Sequence, residues 1–205
     1  MYALVIGSNR VYARVTPPLT YEKWIEAFKK GRSFATNGPL LSLMINGTEP
    51  GEEVRLPAGP ASVQVQARAF SLAPMDRLDV LANGEVVHSV AASSARSTVE
   101  VSCNITLRNS AWVAVRVTGP AHRLVPNGLQ LYAHTSPVYC LLGDRKIASA
   151  SDARFFVDWI NRLIAKVRST GAFSSAARRE EVIRLFEQGR SVYERMTQGQ
   201  RGSVE

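Results

Sequence analysis

Histidine and cysteine are scarce in this chain of 205 residues, at three and two. That scarcity removes most metal chemistry at once. His88, His122 and His134 have no second His, Asp or Glu at the i+2 or i+4 interval that a metal site uses. Cys103 and Cys140 match no metal-ligand spacing, and both fall in strand-like segments where buried free thiols are the expected state. A disulfide joining them would require an approach that spacing alone does not establish.

Other absences exclude further classes. No apolar run approaches the roughly 18 residues of a membrane-spanning helix. The start, Met-Tyr-Ala-Leu-Val-Ile-Gly, lacks a basic n-region and is too short for a secretory signal, so the compartment stays open, a secreted or periplasmic parent included. There is no Gly-x-Ser-x-Gly elbow, no Walker loop and no dinucleotide fingerprint. Glu52-Glu53 and Glu180-Glu181 are adjacent pairs whose side chains diverge on a strand or a helix, so neither pair can share a substrate. The formal net charge of +8 divides into +4 over residues 1–40, +1 over 41–151 and +3 over 152–205, with no dense Lys/Arg run. Nucleic-acid binding calls for a basic stripe with interleaved aromatics, and a mildly basic solvated surface fits better.

What remains is a strong pattern of elements. Short extended segments at 2–6 and 11–15 flank the turn Gly7-Ser8-Asn9, and Pro17-Pro18 stops them. Thr20 is an N-cap, Glu22 suits the first turn, Trp24, Ile25 and Phe28 share a face, and Gly31 sits at the C′ position of a three-turn helix. From Leu41 to Leu142 the apolar period falls from 3.6 to 2. Segments 62–69, 77–82, 85–90, 98–102, 111–117, 131–133 and 138–142 read as strands, and Asn83-Gly84 is a hairpin turn. Trp112 is expected as a core or inter-sheet plug. Asp76, Arg77 and Asp79 read as turn chemistry with a surface ion pair.

Beyond residue 150 the period returns to 3.6. Ser151 or Asp152 is expected to cap a helix whose Phe155, Phe156, Trp159, Ile160, Leu163, Ile164 and Val167 make a broad stripe requiring burial. Thr170-Gly171 breaks it. Ser174 or Ser175 starts a second helix with Val182, Leu185, Phe186, Val192 and Tyr193 inward. The expected fold is mainly β with α: an antiparallel β-sandwich, Ig-like or jelly-roll-like, with a short N-terminal helix and a C-terminal helical hairpin packed on the sandwich.

Several pieces, in order, resemble the C-terminal portion of the CehA/McbA-type metallohydrolases of the PHP (polymerase and histidinol phosphatase) superfamily. They are Tyr21-Glu-x-Trp24 with Ala27, Gly31-Arg-Ser-Phe-Ala-Thr-Asn-Gly-Pro-Leu-Leu41, Ile45-Asn-Gly47 and Pro50-Gly51. Asp76-Arg-Leu78, Asn83-Gly-Glu-Val-Val87, Ser110-Ala-Trp-Val-Ala-Val115, Ala133-His-Thr-Ser-Pro-Val-Tyr139 and Phe156-Val-Asp-Trp-Ile160 follow. The resemblance implies a hydrolase whose zinc or manganese site lies in an N-terminal barrel with His and Asp ligands. Those ligand motifs match nothing in residues 1–205, so no catalytic, cofactor or metal residue carries over.

On that reading residues 1–38 are a remnant of the barrel and an elbow, 39–150 the sandwich, 151–197 the hairpin, and 198–205 a frayed tail. The chain is then a non-catalytic accessory domain whose partner is the barrel, with self-association through the Trp24/Phe28 face. Within the elbow, Arg32 is expected to bond terminal helix carbonyls. Thr36 and Asn37 are expected to bond their own backbone, and Gly38 to take an unusual φ. Arg32, Thr36, Asn37, Gly38, His134 and Thr135 are the candidates for a cleft or domain junction. The alternative is a stand-alone carbohydrate-binding or adhesion-type module, for which Tyr132 and Tyr139 are the aromatics without a core role.

Overall fold

The structure is a computed structural model that describes residues 6–93, 97–125, 128–143, 145–170 and 172–198. Residues 2–5 of the segment expected at 2–6, with Asn127 and Gly171, lie outside these residues. So does the tail beyond Gln198. Two compact units divide the chain, residues 1–147 and residues 148–205.

The first unit is a two-sheet β structure. In chain order it contains β1 (Arg10–Ala13), α1 (Tyr21–Lys29), β2 (Ser33–Thr36), β3 (Leu40–Ile45), β4 (Glu53–Leu56), β5 (Ala61–Phe70) and β6 (Arg77–Ala82). β7 (Glu85–Ala91), β8 (Thr98–Leu107), β9 (Ala111–Ala121), β10 (Gln130–Thr135) and β11 (Val138–Leu142) complete it. Among the described residues the larger sheet has eight strands, organised around β9. β9 pairs with β6 on one side and, end to end, with β10 and β11 on the other. β6 continues to β7, and β10 continues through β2 to β1. Every pairing is antiparallel except that of β11 with β4, which is parallel. The smaller sheet runs β3-β5-β8.

Alternation explains why the sheets face each other. In β5, Val63, Val65, Ala67 and Ala69 are buried while Ser62, Gln64, Gln66 and Arg68 point outward. Leu78, Val80, Val113, Val115, Val117 and Leu131 supply the opposing layer, each essentially without exposure. Burying such a side chain contributes on the order of 2 kcal/mol. β-branched residues dominate because their stiff χ1 packs well on a pleated surface. Both cysteines are free thiols, Cys103 on β8 and Cys140 on β11, and burial pushes the Cys140 thiol up to about 11.

Two expectations for strand residues are corrected. Trp112 is no plug between sheets; its neighbours Ala111 and Val113 face the core, so it lies on the outward face opposite Tyr139. The segment 33–36, expected as turn, is a strand of the larger sheet. Asn37-Gly38-Pro39 therefore forms a corner where the chain passes from one sheet to the other.

α1 ends as its sequence predicts. Thr20 Oγ1 accepts the Lys23 N–H at 3.3 Å, and Gly31, at φ +73°, closes a Schellman motif in which the amides of Gly31 and Arg32 bond the carbonyls of Phe28 and Ala27. Only Ala27 of this helix is fully buried. Trp24 and Phe28 stack at 5.6 Å, and Phe28 remains 46% exposed.

The second unit contains α2 (Ala150–Thr170) and α3 (Ala176–Gln198). Ser175 caps α3, its hydroxyl accepting the Arg178 N–H at 3.2 Å. α2 starts earlier than expected: Ser149, rather than Ser151 or Asp152, accepts the Asp152 N–H at 3.2 Å. Phe156 stacks on Tyr193 at 4.9 Å, and Arg190 donates to Asn161 Oδ1 at 2.9 Å. The stripe is only partly buried. Ala153, Ile164 and Ile183 are covered, whereas Phe155, Trp159, Leu185 and Val192 are exposed. The seam of two helices holds about one row of side chains from each, narrower than the apolar surface on offer.

The C-terminus of α1 and the turn at 49–51 touch backbone to backbone. A Cβ on Gly51, whose φ is +89°, would lie 2.0 Å from the Lys30 carbonyl oxygen, while one on Gly47, at φ +77°, would meet nothing within 4 Å. Gly47→Ala should therefore cost only the left-handed backbone penalty, about 1 kcal/mol, and Gly51→Ala about 3 kcal/mol or more. Urea unfolding of both variants checks this; equal losses would show that the contact does not constrain the fold.

Candidate functional site

The elbow residues divide between two places. Thr36 and Asn37 hold the corner. The buried Thr36 hydroxyl accepts the Gly38 N–H at 2.8 Å, an ST-type turn as expected. Asn37 does not bond its own backbone. Its side chain straddles β10, donating from Nδ2 to the Gln130 carbonyl and accepting the Tyr132 N–H at Oδ1, each at 2.8 Å. The amide thus extends the β2–β10 ladder past the last residue of β2. Gly38 takes no left-handed φ; its requirement is space, since a Cβ would come within 3.3 Å of Leu131 Cδ1.

Arg32 and Thr135 lie at the other end of β2, on a cavity of about 290 Å³. Its floor and walls are Tyr12, Phe34, Leu41, Leu43, Met44 and Pro50, and its mouth carries Arg14, Arg32 and Glu49. Tyr12 and Phe34 stack at 5.0 Å with their planes 10° apart. The Arg32 guanidinium does not bond helix carbonyls, although its backbone amide bonds that of Ala27. It forks onto Glu52 Oε1, from Nε at 3.0 Å and Nη2 at 2.5 Å, and Arg14 pairs with Glu49. Both guanidinium groups are therefore matched by carboxylates. Thr135 is buried, and its hydroxyl accepts the Val115 N–H at 3.1 Å where Ser136-Pro137 separates β10 from β11 along β9.

His134 is one residue away and faces the opposite side of the sheet. Its Nδ1 lies 3.3 Å from the Thr135 carbonyl oxygen, and its ring centre is 5.6 Å from that of Tyr132. The six candidates therefore form three groups, and the cavity gathers only Arg32 and Thr135.

The outward face holds a site that sequence reasoning missed. Asp79 is not a surface ion-pair partner: its side chain is 1% exposed. It accepts from Arg116 Nη2 at 2.9 Å, from Ser89 Oγ at 2.8 Å and from Arg77 Nε at 3.2 Å. Three adjacent strands, β7, β6 and β9, converge on one carboxylate. Burial favours the protonated acid, but the hydrogen bonds from Arg116, Ser89 and Arg77 outweigh it and hold the Asp79 pKa below its ordinary value. The signal was the partner strand: Asp79 aligns with Arg116 only once β6 is known to pair with β9.

Among the described residues no group of three or more His, Cys, Asp or Glu is set to hold a metal ion, and no helix is long and apolar enough to cross a membrane. Comparison with family models, with curated proteins and with solved structures finds no match to this chain.

The Asp79 cluster predicts a pH signature. A carboxylate whose folded pKa is depressed stabilises the fold above its unfolded pKa, and the contribution is lost as pH falls through the folded pKa. Asp79→Asn should cost about 3 kcal/mol near neutrality, because it leaves Arg116 and Arg77 without a counter-charge. Against the parent chain that deficit should shrink once pH drops below the ordinary Asp value of 3.8. Denaturant unfolding across pH 3–7 checks it; a constant deficit would rule out a charged Asp79 as the source.

Proposed function

We propose that this chain is a non-catalytic accessory β-sandwich domain of a metal-dependent PHP-type hydrolase, which positions or helps to enclose a separate catalytic barrel. The observation that carries this reading is α1. Its Trp24 and Phe28 are stacked into one apolar plate, yet the helix fully buries only Ala27. A helix with a strong apolar face is stable when that face packs against another element. Its C-terminus packs backbone to backbone against Gly51, which fixes where the helix leaves the sheet. The catalytic zinc or manganese then belongs to the barrel, and the plate is where the barrel, or a second copy, would dock. Arg32 and Thr135 would border the cleft at that junction, with Thr36, Asn37 and Gly38 setting the corner behind it.

A second reading keeps one observation in its favour. Tyr132 and Tyr139 lie on the outward face at 44% and 40% exposure, near Trp112 and His134, as a sugar-binding or adhesion-type module would present them.

Metal analysis and activity assays separate the readings. The 205-residue chain should contain no stoichiometric zinc or manganese and turn over none of a panel of ester, amide and phosphoester substrates. The same chain fused in frame behind a PHP-type barrel encoded directly upstream should be active. Stoichiometric metal or turnover in the chain alone would overturn the accessory role. Binding to insoluble polysaccharide that is lost in Tyr132→Ala and Tyr139→Ala would favour the module instead.

A further inference from the structure

The two sheets differ in width, and the difference leaves a gap of defined shape. In the smaller sheet β8 lies over β6 and β7, while β3 lies over β9 and β10. The larger sheet continues past β10 to β2 and β1. Among the described residues the smaller sheet ends at β3, and beside that edge Phe34 and Tyr12 form the stacked floor of the cavity.

The wall of that cavity is a strand edge. Four consecutive residues of β3, Leu41 to Met44, line it. Consecutive side chains of a strand point to opposite faces, so all four can border one cavity only along the strand's edge. The hydrogen-bond register fixes which peptide groups face it. Asn46 N–H bonds the Gln64 carbonyl, and Met44 and Ser42 follow in register against Gln66 and Arg68. Antiparallel pairs alternate, so the N–H and C=O of Leu41 and Leu43 point away from β5. Among the described residues nothing bonds them. Ile45, next in that series, is satisfied by a reciprocal pair of bonds with Thr48.

We infer that the cavity is a docking slot for one extended polypeptide segment, which adds as a fourth strand to β3 and covers Tyr12 and Phe34. Its chemistry follows from the walls. Small or β-branched apolar side chains at alternate positions would fill about 290 Å³ of apolar space. The segment is uncharged where it inserts, because Arg14 and Arg32 at the mouth are already paired with Glu49 and Glu52. Main-chain bonds to Leu41 and Leu43 provide affinity, and the inward side chains provide selectivity. The occupant is a separate peptide partner of this chemistry, and the inference does not depend on the hydrolase reading.

Fluorescence anisotropy with a labelled Lys-Thr-Val-Thr-Val-Thr-Lys peptide, acetylated and amidated at its ends, tests the slot. Saturable binding to the full chain is expected. N-methylation of the residues on one edge of the peptide should weaken it roughly tenfold for each bond removed, and methylation on the other edge should change it little. Tyr12→Ala, at a half-exposed floor position, should weaken it several-fold. No binding at millimolar peptide, equal loss from methylation on both edges, or an unchanged Kd in Tyr12→Ala would each overturn the proposal.

Discussion

A three-stranded sheet cannot cover an eight-stranded one. That mismatch in the first unit governs its local chemistry. Where the smaller sheet lies over β6, β7, β9 and β10, the core is buried, apolar and rich in β-branched side chains. Where it stops, at β3, the inner face of β2 and β1 would expose Phe34 and Tyr12. The two rings stack on each other and reduce the apolar surface, but they do not remove it. The Arg14–Glu49 and Arg32–Glu52 pairs then line the opening with charge. A free strand edge, an apolar floor and a charged mouth in one place all follow from one missing layer of sheet.

The corner at 37–39 is what allows the mismatch to persist. Thr36 ends β2 and Leu40 begins β3, so three residues carry the chain between sheets. Asn37 completes the β10 ladder with its side chain, and Thr36 caps the turn. A similar economy appears at the other end of the signature, where Gly31 and Gly51 let the helix terminus and the 49–51 turn meet without side chains. Arg32 to Phe34 and Pro50, separated in sequence, thus meet on the cavity, while residues 37–39 form the corner at the far end of β2. Residues that resembled a family signature have a physical reason to occur together.

Much of this fold was legible because its elements carry clean periods. β5 alternates without an exception, Asn83-Gly84 closes a hairpin, and Thr20 and Gly31 bracket α1 as their chemistry demands. Elements without a period were lost: β2 has four residues, Ser-Phe-Ala-Thr, and β4 has four, too few to show alternation. The site was harder still. Asp79 beside Arg77 looks like a surface pair until β9 brings Arg116 across the sheet. Arg32 looks like a helix-terminal cation until the fold delivers Glu52, twenty residues on. His134 and Thr135 look like one motif, yet the pleat sends them to opposite faces. The Asp79 and Arg32 pairings depend on which segments the fold makes neighbours, which local sequence does not encode. The split of His134 from Thr135 follows from the pleat once Gln130–Thr135 is known to be a strand.

The central claim is that β3 presents a free edge to the cavity, and amide hydrogen exchange of the unliganded chain tests it most directly. Ser42 and Met44, bonded inward to β5, should be protected to nearly the level of the core strands. Leu41 and Leu43, on the same strand with buried side chains, should exchange much faster. Equal protection at all four amides would mean that the edge is already occupied, and would contradict the claim.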